Sequence, residues 1–547
     1  MRWPSLSRRP ISTDVLVLCT SVLFAVAYNG AFVQAMLAGR AVSAPGTWGL
    51  AAALGAFLVA LHVLLLGLVT HVWTARPLLS VLIVAAAASS YFIGQYGVFI
   101  DPTMLRNVLH TQPSEARELL GAGFWAHLAL AAVPLMLLWR VRLTRRSVRQ
   151  ALARRAALLF GSVAVAVLAL LSVYQDVASE MRNRKELRYL VTPANVVYST
   201  ARVLAGDARV ASTARRPVGT DARLAAAAEG RAKPALFVIV VGETARAANW
   251  GLNGHVRQTT PELAKLDVLN FSNVSACGTN TETSLPCMFS AVGRRDYDEA
   301  RIRGSESLLH VLRHAGLEVL WRDNQSGCKG VCEGLPTERL DQATVPGLCE
   351  DGRCFDEVLL HGLDTIARDA RGNLVVVLHM IGNHGPAYHR RYPKEFARFA
   401  PACETDDLRR CSSAEIAAAY DNALLYTDHV LARVIGFLKE REARYDTAML
   451  YVSDHGESLG EHGLYLHGVP YAIAPREQLQ VPMVWWLSPG FAASAGVDTS
   501  CLRARTGEPW THDHLFHTVL GLLQVQTAVY EPAFDIGASC RAAPPAP

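Results

Sequence analysis

Five apolar stretches, each long enough to cross a bilayer, occupy the first third of this 547-residue chain and commit it to a membrane before any other question arises. They run at Val15–Leu37, Trp48–Val69, Pro77–Ile100, Leu119–Trp139 and Ala156–Tyr174. The first follows Arg8 and Arg9 and has the outline of a signal peptide. Its apolar run is too long for one, however, and four more spans follow, so it reads as a membrane helix. His62, Gln95 and His127 fall inside spans. Such lone polar groups are more often satisfied between helices than functional, and no role is assigned to them.

Arginine placement predicts the orientation. Arg2, Arg8 and Arg9 precede span one, and Arg76 separates spans two and three. Arg140, Arg142, Arg145, Arg146, Arg149, Arg154 and Arg155 crowd into one short loop between spans four and five. Placing all three groups in the cytoplasm satisfies the positive-inside rule. The N-terminus is then cytoplasmic and everything after Tyr174 lies outside. Those seven loop arginines exceed the formal net charge of +5, so the basic surplus expresses topology and no nucleic-acid partner is expected.

Cysteine usage agrees. Cys19 lies in span one, and the other ten of the eleven fall in the outer part: Cys277, Cys287, Cys328, Cys332, Cys349, Cys354, Cys403, Cys411, Cys501 and Cys540. An even set in an oxidising compartment predicts disulfides. Nearest-neighbour pairing would close short loops and one long one, Cys501–Cys540. The rival, a zinc knuckle at Cys328/Cys332 and Cys349/Cys354, has irregular spacings and the wrong compartment.

Three segments follow: a membrane domain over 1–175, membrane-surface helices and a bridging linker over 176–233, and an outer globular domain over 234–547. Asp101–Leu120, between spans three and four, is a polar loop on the outer face. From Pro234 short β-branched apolar runs appear: Ala235–Val241, Leu317–Trp321, Leu374–Leu378, Ala448–Val452 and Val481–Leu487. They alternate with helical patterns at Ser307–His314, Phe355–Arg368 and Ser413–Arg441, which predicts an open, mostly parallel α/β sheet. Chemistry in such sheets gathers at the carboxyl ends of the strands.

That rule selects residues. Gly242-Glu243-Thr244 ends the first run. His379 and then Gly382-Asn383-His384-Gly385-Pro386 end the third. Ser453-Asp454-His455-Gly456-Glu457 ends the fourth, with His462 and His467 behind it. Glu, Asp and His converging from three strand ends suit zinc better than calcium or magnesium. Ser275 to Cys287 adds a hydroxyl-rich stretch between two cysteines, which is either a stapled polar loop or the source of a threonine nucleophile whose pKa zinc would lower.

Together Gly242-Glu243-Thr244, Cys277-Gly278-Thr279-Asn280-Thr281, Pro286-Cys287-Met288-Phe289-Ser290, Trp321-Arg322-Asp323-Asn324, Asn383-His384-Gly385-Pro386 and Ser453-Asp454-His455-Gly456-Glu457-Ser458 resemble the lipid A phosphoethanolamine transferases, the family that includes the mobile colistin-resistance enzymes. The resemblance covers nearly the whole chain and implies a five-helix transmembrane domain followed by an alkaline-phosphatase/sulfatase-like α/β/α periplasmic domain in the bacterial inner membrane. It implies Thr281 as nucleophile, with Glu243, Asp454 and His455 holding a catalytic Zn2+ together with it. His384, His467 and Lys329 would bind substrate phosphate or a second zinc, and His379 would support the site. In the 101–120 loop, Asn107, Thr111 and Glu115 match positions used for the donor's ethanolamine. Their spacing of four also puts them on one helical face. The implied reaction moves phosphoethanolamine from phosphatidylethanolamine to lipid A, which weakens polymyxins and other cationic peptides, and the chain is read as a monomer among membrane lipids.

Two positions depart from the family. Glu282 follows the nucleophile where a small residue is usual, and its carboxylate would point to solvent or bind metal, with a change of acceptor preference. His389 replaces a tyrosine, and the sequence offers no interpretation. Rival readings are transfer to a lipopolysaccharide core sugar, hydrolysis as a sulfatase or phosphodiesterase, and a non-catalytic membrane sensor. Cysteine-converting sulfatases need Cys-x-Pro-x-Arg, which neither Cys277 nor Cys287 begins.

Overall fold

The computed structural model describes residues 10–211, 215–350 and 352–541. Arg2, Arg8 and Arg9 lie outside them. Contacts divide the chain into two units, Met1–Leu105 with Leu120–Val203, and Arg106–Leu119 with Leu204–Pro547.

In the first unit, among the described residues, the helices Gly46–Val69, Ala75–Tyr96, Ala122–Arg140 and Val148–Ser172 are long and apolar enough to cross a membrane. The expected first span is instead two helices, Thr13–Tyr28 and Gly30–Met36, bent by 60°. The break sits at Asn29. Its side chain donates to Phe24 O at 2.9 Å and to Thr192 O, and it accepts from Thr192 N–H at 2.9 Å. A buried amide tied to a residue 163 positions away ends the helical ladder there. Two of the polar groups left without a role, His62 and His127, are satisfied. His62 bonds Leu58 O at 2.8 Å and Thr192 O at 3.1 Å, and His127 bonds Ser90 Oγ at 3.1 Å. The arginine loop is shorter than expected, because Arg149, Arg154 and Arg155 already belong to the helix Val148–Ser172.

The second unit is built on an eight-stranded sheet. In chain order its strands are β1 (Ala235–Gly242), β2 (Leu269–Ser275), β3 (Glu318–Asp323), β4 (Thr337–Arg339), β5 (Leu374–His379), β6 (Asp446–Ser453), β7 (Gln480–Leu487) and β8 (Trp510–Thr511). Their spatial order is β8-β2-β7-β6-β1-β5-β3-β4, and β7 alone runs antiparallel to its neighbours. Every residue of β1 is buried, as a strand covered on both faces must be. Each Val, Ile or Phe it buries contributes about 1.5–3 kcal/mol. The sequence reading missed β2 because Asn270, Ser272 and Asn273 break its apolar run, and it missed β4 and β8 because they are only 3 and 2 residues long. Phe355–Arg368 is not one helix. A 3-10 turn, Asp356–Leu360, and a helix, Leu363–Asp369, meet at Gly362, whose φ of 75° only glycine adopts without strain.

Parallel register sets the level of the strand ends. Gly242 pairs with Ser453 and Val241 with His379, so Glu243 and Asp454 leave the sheet side by side. Five disulfides link nearest neighbours, Cys277–Cys287, Cys328–Cys332, Cys349–Cys354, Cys403–Cys411 and Cys501–Cys540.

The 101–120 loop folds as two short helices, Pro102–His110 and Pro113–Leu119. Asn107, Thr111 and Glu115 therefore do not share one helical face. Pro113 biases Gln112 away from helical geometry, and the break at Thr111–Gln112 puts Glu115 on the second helix.

Candidate active site at the strand ends

Glu243, Asp454 and His455 are fully buried, with one ligand atom from each lying within 4.8 Å of the others. Local structure enforces this placement. Thr244 takes a left-handed φ of 62°, uncommon and costly for a β-branched residue, at about 1–3 kcal/mol. Three bonds hold it: Thr244 N–H donates to Asp454 Oδ1 at 3.2 Å, its hydroxyl donates to Glu243 Oε1 at 2.6 Å, and Tyr420 O–H donates to its carbonyl at 2.7 Å. The loop after β5 closes on the same point. Gly382 has φ 52°, and a Cβ there would lie 2.5 Å from Glu243 O, so no other residue fits.

Thr281 is the first residue of the helix Thr281–Met288, capped by the Asn280 side chain, which accepts from Thr283 N–H at 3.0 Å. Its hydroxyl donates to Glu243 Oε2 at 3.0 Å and lies 3.4 Å from His455 Nε2. His455 Nδ1 faces Gly456 O at 2.9 Å and so carries its hydrogen there, which aims Nε2 at Glu243 Oε1, 3.2 Å away, and at Asp454 Oδ2, 3.4 Å away.

The electrostatics call for a cation. Burial and the neighbouring Glu243 charge push Asp454 up to about 7. Burial opposes charge on His455 too, but the two carboxylates outweigh it and push the imidazole up to about 10. Burial also works against a charged Glu243, yet the hydrogen bond and charge of His455 hold that carboxyl well below the usual range. Asp454 Oδ2 is buried with no hydrogen-bond partner. Two buried carboxylates and an imidazole nitrogen converging on one point fit a divalent metal, which would take the place of the proton they otherwise hold on His455.

His384 and His467 stand beside this cluster, with His467 centred 4.4 Å from His455 and 5.2 Å from His384. Burial lowers both, His467 to about 3, so both are neutral imidazoles. His384 Nδ1 is buried without a partner. His379 turns to Asp323, with Nδ1 2.9 Å from Oδ2. His462 is exposed and outside the cluster.

Lys329 sits in the Cys328–Cys332 loop at φ 48° and donates to Ser326 Oγ at 2.6 Å. Its Nζ also lies 3.3 Å from Glu282 Oε1. Glu282 neither faces solvent nor joins the metal-type cluster. Its side chain is 1 % exposed and is paired with Lys329, Arg303 and His110. Although burial disfavours its charge, the His110 hydrogen bond and these cations hold the carboxyl down at about 2.

Residues 106–119 pack within this unit. Thr111 spends its hydroxyl on Asn107 O at 2.7 Å. Glu115 is buried with Oε1 unpartnered, and it lines a cavity of about 740 Å³ with Gln112, Glu118, Asn324, Arg353 and Arg391. His389 borders the same cavity and approaches Asp406 at 3.8 Å.

Several supporting residues escaped the sequence reading. Glu457 accepts from Tyr388 O–H at 2.9 Å and holds His467 Nδ1 at 3.0 Å. Gln325 Nε2 donates to Glu243 Oε2 at 3.1 Å. Asp356 accepts from Ile381 and Gly382 N–H, both at 2.9 Å, and so fixes the loop that carries His384. Glu457 stood inside a quoted motif and could have been marked. Gln325 and Asp356 carried no signal.

Comparison with known proteins gives two family matches, a Sulfatase model over residues 235–525 and a Phosphoethanolamine transferase EptA/EptB model over residues 58–208. The chain is 39% identical to phosphoethanolamine transferase EptA of Escherichia coli K12, over 87% of this chain and 88% of that protein. It is 37% identical to phosphatidylethanolamine transferase Mcr-1 of Escherichia coli, over 95% and 96% of the two chains. The solved integral membrane lipooligosaccharide phosphoethanolamine transferase A of Neisseria meningitidis superposes with a TM-score of 0.93 at 34% identity, covering 97% of this chain and 100% of that one.

Proposed function

This chain belongs to the phosphoethanolamine transferase family of EptA and Mcr-1, and we propose that it moves phosphoethanolamine from phosphatidylethanolamine to a lipid A headgroup phosphate through a covalent intermediate on Thr281. The observation that carries this reading is the Thr281 hydroxyl, 3.0 Å from Glu243 Oε2 at the edge of the buried Glu243–Asp454–His455 cluster.

Glu243, Asp454 and His455 would hold zinc. When bound, zinc supplies positive charge that lowers the pKa of a nearby hydroxyl and offsets phosphoryl charge. Thr281 Oγ1 attacks the donor phosphorus while Glu243 accepts its proton. The bond to the glycerol oxygen breaks, and diacylglycerol leaves carrying that proton. An oxygen of the lipid A phosphate then attacks the same phosphorus, the P–Oγ1 bond breaks, and the acceptor's proton returns to Oγ1. His384 and His467, as neutral imidazoles, and Lys329 would meet the phosphoryl oxygens. The unpartnered Glu115 oxygen, with Asn107 and Thr111 nearby in sequence, suits the donor's ammonium.

The arginines and five disulfides favour a cytoplasmic N-terminus and a periplasmic catalytic domain in the inner membrane. An added amine reduces the negative charge of lipid A and so its attraction for polymyxins.

Mass spectrometry of lipopolysaccharide from cells with and without the protein tests the assignment. Phosphoethanolamine on lipid A is the expected gain. The group on core sugar alone would move the acceptor, and no gain anywhere would reject transfer.

A further inference from the structure

Glu282 is the residue next to the nucleophile, and its surroundings come from three separate segments of the chain. Its Oε1 lies 2.9 Å from His110 Nδ1 and 3.3 Å from Lys329 Nζ, and its Oε2 lies 3.3 Å from Arg303 Nη1. Lys329 is 4 % exposed, so without Glu282 a buried ammonium would lose its carboxylate and keep the Ser326 oxygens as partners. His110 ends the helix that carries Asn107, and one turn earlier Arg106 pairs with Glu299 and, at 3.0 Å, with Asp207. Glu299 opens the short helix that ends in Arg303. Segment 106–110 is thus fastened at two levels, by the Arg106 ion pairs and by the His110–Glu282 hydrogen bond. The His110 bond ends on the helix that begins with Thr281.

We propose that Glu282 is a positioning residue for the donor half-reaction, setting through His110 the register of segment 106–119 against the nucleophile. The proposal rests on the reading above that Asn107, Thr111 and Glu115 receive the donor headgroup. Glu282 is the second residue of its helix, so its side chain leaves the axis about 100° from that of Thr281. It acts on the reaction through its partners rather than on phosphorus. Once the group is bonded to Thr281, its position no longer depends on segment 106–119. The effect therefore belongs to donor capture and not to delivery.

The two halves can be measured apart in the full-length protein in detergent micelles. Headgroup-labelled phosphatidylethanolamine without acceptor reports labelling of Thr281. Preloaded enzyme mixed with lipid A reports delivery. Glu282→Gln keeps the shape and removes the charge, and His110→Ala removes the partner. His110→Ala should raise the half-saturating phosphatidylethanolamine concentration about tenfold while leaving the delivery rate unchanged, and Glu282→Gln should raise it at least as far. The double variant should be no worse than Glu282→Gln alone, because His110→Ala breaks a contact that Glu282→Gln has already broken. If Glu282→Gln fails to fold, judged by its melting curve, His110→Ala decides alone, since that side chain is 44 % exposed and tolerates truncation. Unchanged donor half-saturation, losses that multiply in the double variant, or a loss confined to delivery would each overturn the proposal. Absence of label on wild-type Thr281 would instead reject the parent reading, and the proposal with it.

Discussion

Thr281 Oγ1 donates to Glu243 Oε2 at 3.0 Å although 38 residues separate them in the chain. One residue opens a helix and the other directly follows a central strand. The fold delivers a buried hydroxyl to a buried carboxylate, and Asp454 and His455 complete a site that calls for positive charge.

Thr279 and Thr281, both within the Cys277–Cys287 loop, should therefore behave differently. Thr281→Ala removes the attacking group and should lower transfer and self-labelling by about a thousandfold or more, with the melting temperature nearly unchanged. The Thr279 hydroxyl donates to Val469 O at 2.7 Å while its backbone carbonyl accepts from Gly468 N–H at 2.8 Å, so its role is structural. Thr279→Ala should cost about 1 kcal/mol of stability and leave labelling within a few-fold. The opposite pattern would assign the nucleophile to Thr279.

Metal removal should act on stability and activity together. The wild-type protein should hold zinc by elemental analysis, and chelation should abolish labelling and lower the melting temperature, both restored by zinc. Asp454→Asn replaces the buried oxygen that has no partner with an amide and should lose most of the bound metal. Full zinc occupancy in that variant would remove Asp454 from the ligand set.

Orientation is open to a direct check. A reporter active only in the periplasm should work when fused after Gly230 and stay silent when fused after Arg146, as the positive-inside rule predicts. The reverse result would invert the topology.

Away from the site, Asp428 accepts from Glu262 N–H at 2.8 Å and from Leu263 N–H at 2.9 Å, yet burial pushes its carboxyl up to about 7 from an ordinary 3.8. The folded state then binds more protons than the unfolded state between those values. The stability Asp428 contributes is present below about pH 4 and is lost as pH rises through 7. Asp428→Asn should flatten this dependence, melting above wild type at pH 8 by an amount that shrinks toward pH 5. A gap that stays constant with pH would exclude Asp428 as its source.

What the sequence determined by itself were the properties carried by neighbouring residues. Apolar length named the helices of the membrane unit, and β-branched runs named five strands. The motif residues at their ends named Glu243, Asp454 and His455. The five cysteine pairs follow chain order, so nearest-neighbour reasoning found them. The tertiary structure decided whatever depends on distant partners. The bend at Asn29 answers to Thr192, 163 residues away, and no hydropathy window contains both. Segment 106–119 packs with the catalytic unit although it is threaded between two spans. Glu282 looked like a solvent-facing or metal-binding carboxylate until His110, 172 positions earlier, and Lys329 were seen to enclose it. A side chain's charge is written in its own codon, but its dielectric surroundings and counter-ions are supplied by whichever segments the fold brings against it, and for Glu282 those come from three parts of the chain.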